Sequence, residues 1–146
     1  MEKAAIAKNG AGSLSLVQRI QHYAATVKSD FEASLDLLAD DIVWINLLPS
    51  HVPFGGTYTG KQEVIRYFTR MAETFQIGDY LWDQFEYIES GNTLVMVGFE
   101  KDGVALPTGV VFDLHFVWVV RFDEQGRICY LREHNDTAAI GDAFRA

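Results

Sequence analysis

A stretch near the C-terminus, Leu106 to Asp136, restricts the fold more than any other part of the chain. Val110, Phe112, Leu114, Phe116, Trp118, Val120 and Phe122 occupy every second position. Side chains two apart in a strand share a face, so this spacing predicts a long strand with one wholly apolar side. The other side carries Val111, Asp113, His115, Val117, Val119 and Arg121. A polar loop, Asp123-Glu124-Gln125-Gly126, separates this run from a second one ending at His134-Asn135-Asp136. A glycine-containing polar loop between β-rich runs reads as a hairpin. Pairing Phe122 with Arg127 across the loop sets Trp118 opposite Leu131 and Phe116 opposite Glu133. Facing residues share a side of the sheet, so Cys129, Leu131, Glu133 and Asn135 join the apolar face. Tyr130, Arg132 and His134 join the mixed one. A carboxylate among Phe116, Trp118 and Leu131 is costly unless it has partners or a chemical task.

The chain upstream reads as helices, then strands. Residues 1–13 are small, polar and glycine-containing, and are expected to form a mobile tail ahead of a single domain over residues 14–146. Leu16, Val17, Ile20, Tyr23, Ala24 and Val27 recur at helical spacing. Ser29 and Glu32 suggest a capping box for a second, short helix with Phe31, Leu35 and Leu38 turned inward. Ile42–Leu47 is expected as a short strand with Ile42, Trp44 and Asn46 on one side. The segment from Pro49 to Gly60 holds two prolines and several glycines and is read as a loop. A third helix follows, capped by Thr59 or Gly60, with Val64, Ile65, Phe68, Met71, Ala72 and Phe75 as its buried stripe. Strands are predicted over Tyr80–Glu89 and Thr93–Glu100, with a turn at Lys101-Asp102-Gly103. A short helix, capped by Asp136, closes the chain. Helices over one face of an antiparallel meander make an α+β domain.

Composition narrows the partners. The 146 residues carry a net charge of −8 and a pI of about 4.8, which disfavours nucleic acid, whose phosphates need clustered Lys and Arg. Cys129 is the only cysteine, so an internal disulfide and a cysteine-rich zinc site are excluded. No apolar run has membrane-spanning length and the N-terminus lacks a signal-type apolar core, so a cytoplasmic protein without a membrane partner is expected. No phosphate-binding or nucleotide fingerprint is visible, and neither cofactor nor metal is expected.

The element order, together with Asp40-Asp41-Ile42-Val43-Trp44, Pro53-Phe54-Gly55-Gly56 and Arg121-Phe122-Asp123, resembles the NTF2-like superfamily, in particular its ketosteroid isomerase and SnoaL-like branch. The resemblance implies a cone, with a bent sheet wrapped on the N-terminal helices, a small-molecule pocket inside, and homodimers formed through the outer sheet face. The fold hosts isomerases, polyketide cyclases, hydrolases, dehydratases and non-catalytic modules. Asn46 stands where the steroid isomerases keep their base Asp, and Trp118 where they keep an oxyanion-donating Asp. Steroid isomerase activity is therefore not expected. Leu106-Pro107-Thr108-Gly109 is also similar to a motif of the limonene epoxide hydrolases, whose base falls on Glu133. Their accompanying Arg and second Asp fall on Phe99 and Lys101.

Glu133 is thus the candidate catalytic residue, because an apolar site raises a carboxyl pKa toward neutrality and fits it for proton transfer. Its structural alternative is a carboxylate satisfied by Asn46, Tyr58 or backbone N–H groups. Trp44, Asn46, Phe54, Tyr58, Phe116, Trp118, Leu131 and Asn135 are candidate ligand contacts, although aromatics at strand spacing also serve as plain core. His115 and His134 fall on the outer face, among the valines expected at a dimer interface. The expected function is acid/base chemistry on a small hydrophobic molecule. The alternative is a non-catalytic ligand-binding or dimerisation module.

Overall fold

The computed structural model describes residues 14–145; the expected N-terminal tail lies outside them. Helix α1 spans Leu16–Ser29, and α2 spans Phe31–Ser34 and runs into a 3-10 turn at Leu35–Leu37. Strands β1 (Leu38–Asn46) and β2 (Gly56–Thr59) precede helix α3 (Lys61–Thr74). Then come β3 (Phe75–Gln76), β4 (Asp79–Tyr80), β5 (Glu86–Ser90), β6 (Thr93–Ala105), β7 (Val110–Phe122), β8 (Ile128–Asn135) and helix α4 (Thr137–Ala143). One sheet runs in the order β2-β1-β8-β7-β6-β3, with β4 and β5 also on β6. The sheet is mixed rather than antiparallel throughout, because β1 and β8 run parallel.

The inner face is the one the alternation predicts. Leu114, Phe116, Trp118, Val120 and Phe122 are buried, and α1, α3 and α4 pack over them through Ile20, Tyr23, Val64, Tyr67, Met71 and Ile140. The hairpin register differs from the expected one by two residues. Asp123 N–H bonds the Arg127 carbonyl, so Phe122 faces Ile128 rather than Arg127. A bulge at Cys129 then adds one more residue, and Arg121 faces Tyr130. Trp118 consequently faces Glu133, and Phe116 faces Asn135. Two one-residue slips preserve parity, so Leu131, Glu133 and Asn135 stay on the inner face. Cys129 does not: it sits half-buried at the bulge, its thiol on the Arg121 carbonyl at 3.5 Å.

Local chemistry explains the other departures. Asp30, not Ser29, caps α2, its side chain accepting from Ala33 N–H. Leu38 belongs to β1 instead of the helix and pairs with Ile128. The Pro/Gly segment contains β2, which the edge of β1 recruits by pairing Trp44 with Tyr58 and Asn46 with Gly56. Expected strand Tyr80–Glu89 is broken by a 3-10 turn at Trp82–Gln84. Lys101-Asp102-Gly103 does not reverse the chain. It forms a bulge inside β6, with Asp102 at φ 60° and its N–H donated to Asp113 Oδ1 at 3.0 Å. Asp136 caps α4 as expected.

Candidate active site

Strand register builds the site. β1 lies beside β8 with Trp44 opposite Leu131 and Asn46 opposite Glu133. Every second residue shares a face, so Trp44, Asn46, Glu133 and Asn135 all point inward under α3. Trp44 Nε1 donates to Glu133 Oε2 at 2.8 Å, and Tyr67 Oη donates to the same oxygen at 2.7 Å. Asn46 Nδ2 donates to Tyr67 Oη at 3.1 Å, and Asn135 Nδ2 donates to Asn46 Oδ1 at 2.9 Å. The chain of donors runs Asn135, Asn46, Tyr67, and it ends on the carboxylate. Such a network fixes the rotamers of all its members.

These groups border a cavity of about 350 Å³. Glu133, Trp44, Asn46, Phe54, Trp118 and Asn135 line it; Tyr58, Phe116 and Leu131 do not. Tyr58 was expected beside Glu133. Its hydroxyl instead meets the carbonyls of Phe54 and Gly55 and receives a bond from Arg70 Nη1. The pairing of β2 with β1 turns it toward its own loop. Phe116 fills the space above Gly98, where a Cβ would come within 2.4 Å of its ring, and Leu131 is fully buried core.

Burial dominates the electrostatics of the site. Burial pushes the Glu133 carboxyl above its ordinary value, while hydrogen bonds from Tyr67 and Trp44 and the nearby Asn135 amide partly restore the charged form. A second carboxyl, Glu100, also lines the cavity and is only 2 % exposed. Burial raises it to about 7; Gly78 N–H opposes the rise and the Glu133 charge adds to it. Two further polar atoms, on residues that line the cavity, are buried and have no hydrogen-bond partner among the described residues, Tyr23 Oη and Trp118 Nε1. Among the described residues, no three His, Cys, Asp or Glu side chains are grouped to hold a metal, and no helix is long and apolar enough to cross a membrane.

Sequence reasoning missed Tyr67, Tyr23 and Glu100 as site residues. Tyr67 was legible: it stands three after Val64 and four before Met71, on the buried stripe where Ala72, in fact exposed, was placed. Glu100 was legible too, since Leu94, Met96 and Gly98 alternate inward and put Glu100 on the same face.

Residues 20–131 match the SnoaL-like domain family, well over half of the chain. An NTF2-like protein from Burkholderia xenovorans is 24% identical with a TM-score of 0.78, over 89% of this chain and 95% of that one. An NTF2-like protein of unknown function from Burkholderia pseudomallei is 29% identical with a TM-score of 0.72, over 91% of this chain and 100% of that one. A protein provisionally named a polyketide cyclase, from Pseudomonas putida, is 13% identical with a TM-score of 0.72, over 90% and 98% of the two chains. No curated protein matches the chain.

Proposed function

The chain belongs to the SnoaL-like domain family, and on that footing we propose that it catalyses general acid/base chemistry on a small, largely hydrophobic molecule, with Glu133 as the base. One observation carries this reading. Glu133 sits on the wall of an aromatic-lined cavity, its carboxyl oriented by two fixed donors on Oε2, Trp44 Nε1 and Tyr67 Oη. Burial raises this carboxyl above its ordinary value, the direction that makes it a stronger base, and positioned acid/base groups typically contribute about 10²–10⁴-fold in rate. The aromatic rings of Trp44, Phe54 and Trp118 suit a flat apolar ligand. The polyketide cyclase name of a distant neighbour agrees with that class of ligand.

The test is hydrogen–deuterium exchange at the acidic carbon of β-tetralone in deuterated water, followed by NMR. The protein is expected to accelerate exchange, and Glu133→Gln to remove the acceleration. Binding of β-tetralone without any exchange would favour the non-catalytic ligand-binding alternative.

Tyr23 offers a second check. A buried hydroxyl without a partner among the described residues costs free energy, so Tyr23→Phe is expected to raise stability by about 1 kcal/mol and to leave β-tetralone binding unchanged. Thermal melts with and without β-tetralone read both effects. A variant that loses stability in the empty protein would show that the hydroxyl has a structural partner.

We also propose a homodimer formed through the outer sheet face. There Val97 pairs with Val117 and Ile88 with Val95, and Ile88 and Val111 are 59% and 58% exposed. Large exposed aliphatics along one sheet face mark interaction surfaces. Sedimentation at micromolar concentration is expected to show a dimer, and a monomer throughout that range removes the proposal.

A further inference from the structure

Strand β6 devotes unusual backbone to one side chain. Glu100 ends the regular part of the strand, and the register slips between it and Gly103. Asp102 takes φ 60° in that bulge. Opposite the bulge, Gly78 donates its N–H to Glu100 Oε2 at 2.6 Å. A Cβ on Gly78 would lie 2.1 Å from the Lys101 carbonyl, and one on Gly103 3.1 Å from Glu100 Oε2 itself. Two glycines and a left-handed residue therefore hold this carboxyl at its place on the cavity wall.

Among the described residues no cation pairs with it. Lys101, next in sequence, is exposed and approaches Asp102 and Asp113 instead. Lys28, the cation on the cavity wall among the described residues, is exposed on α1. The groups facing Glu100 are Tyr80 from β4, Leu114 from β7 and the Gly78 amide, with Glu133 acting on it through space. The two environments differ in how well they support charge: two side-chain donors meet the carboxylate at Glu133 and a single backbone N–H meets it at Glu100. Their strands flank β7, and their partners there, Trp118 and Leu114, are four residues apart, roughly 13 Å at the rise of a strand. A flat ligand can lie between them.

We propose that Glu100 is the proton donor of this cavity, delivering its proton to a carbonyl oxygen of the ligand while Glu133 withdraws one from the adjacent carbon. This rests on the reading of Glu133 as the base. The C–H bond breaks as its proton bonds to Glu133, and the electron pair left on carbon forms the new C=C bond. The C=O π electrons move to oxygen, which takes the proton from the Glu100 O–H bond. The product is the enol, with Glu133 now neutral and Glu100 anionic. Ketonisation in the reverse sense, at the same or a different carbon, restores both carboxyls. The pull of Glu133 on the titration of Glu100, whose midpoint is about 7, agrees with such a division.

The experiment has two readouts on wild type, Glu100→Gln and Glu133→Gln. Carbon NMR of protein labelled at its glutamate carboxyls is expected to show one signal titrating near 7 in wild type, absent in Glu100→Gln, and shifted down in Glu133→Gln. Exchange of β-tetralone is expected to fall about a hundredfold in Glu100→Gln, with its alkaline limb lost and the Kd for β-tetralone unchanged. Two results overturn the proposal: a Glu100 signal titrating in the ordinary carboxyl range, or wild-type exchange with a wild-type pH profile in Glu100→Gln. Wild type that exchanges, with Glu133→Gln inactive and Glu100→Gln normal, sinks the donor role alone. Wild type that fails to exchange sinks the Glu133 base and the donor with it. Should Glu100→Gln not fold, the midpoints in wild type and Glu133→Gln still decide.

Discussion

Glu133→Gln is expected to lower proton-exchange activity by about 10²–10⁴-fold while leaving β-tetralone affinity nearly unchanged. The amide carbonyl can still accept from Trp44 Nε1 and Tyr67 Oη, which now bond Glu133 Oε2. Shape and hydrogen bonds survive, and only the ability to take a proton is lost. Stability gives the same substitution a signed signature. Burial raises the folded-state pKa of Glu133 above its value of 4.5 in an unperturbed chain. A carboxyl raised in this way destabilises the fold progressively as pH climbs from the unfolded pKa to the folded one, and the penalty is full above it. Glutamine, neutral at every pH, carries no such penalty. The variant is therefore expected to melt higher than wild type at neutral pH and to match it in acid, below the unfolded pKa. Denaturant midpoints at the two pH values measure the difference. A variant that melts lower at neutral pH would mean that the bonds from Trp44 and Tyr67 outweigh the desolvation, and that the carboxylate is structural.

The site was only partly legible in the sequence, for identifiable reasons. Glu133 stood out because alternation alone fixes which face a residue occupies, and parity survived because the slips at Arg127 and Cys129 add to an even number. The exact neighbours did not survive, since bulges leave little trace in hydrophobic pattern. Glu100 obeys the same alternation but was hidden by Lys101-Asp102-Gly103, whose turn-forming residues build a bulge within a longer strand. The parallel contact of β1 with β8, which sets Asn46 beside Glu133, joins segments far apart in the chain. Each strand's pattern shows that it pairs and not with which partner. Tyr67 was lost for a smaller reason: where Tyr67 and Phe68 are adjacent, either can continue a 3.6-residue stripe, and the more apolar residue was chosen. The fold class tolerates all of these errors because it depends on element type and order, whereas the site depends on register.

Gly78→Ala is expected to be among the most damaging single-methyl additions to the chain. The new Cβ would lie 2.1 Å from the Lys101 carbonyl oxygen, 2.7 Å from the Gly103 nitrogen and 2.8 Å from the Asp102 carbonyl carbon, all of them backbone. A side chain could rotate away, but these atoms belong to the β6 bulge and to the pairing of Asp79 with Lys101 and Tyr80 with Glu100. Relief requires the β3–β4 connection to lift off β6. The expected cost is about 3 kcal/mol, at the upper end for overpacking, or roughly 10 °C in Tm. Gly91→Ala is the control: its Cβ meets nothing within 4 Å, so it pays only for its φ of 60°, about 1–2 kcal/mol. Lifting the connection also withdraws the Gly78 N–H from Glu100, the one hydrogen bond that favours its charged form. The lifted connection also admits water to this carboxyl, and burial is the largest cause of its raised value, so where enough Gly78→Ala protein folds to be titrated the Glu100 midpoint should fall below about 7. A Tm equal to wild type would show that the connection moves freely and that the bulge does not hold Glu100 in place. A lowered Tm with an unmoved midpoint would show that the β3–β4 connection is not what buries that carboxyl.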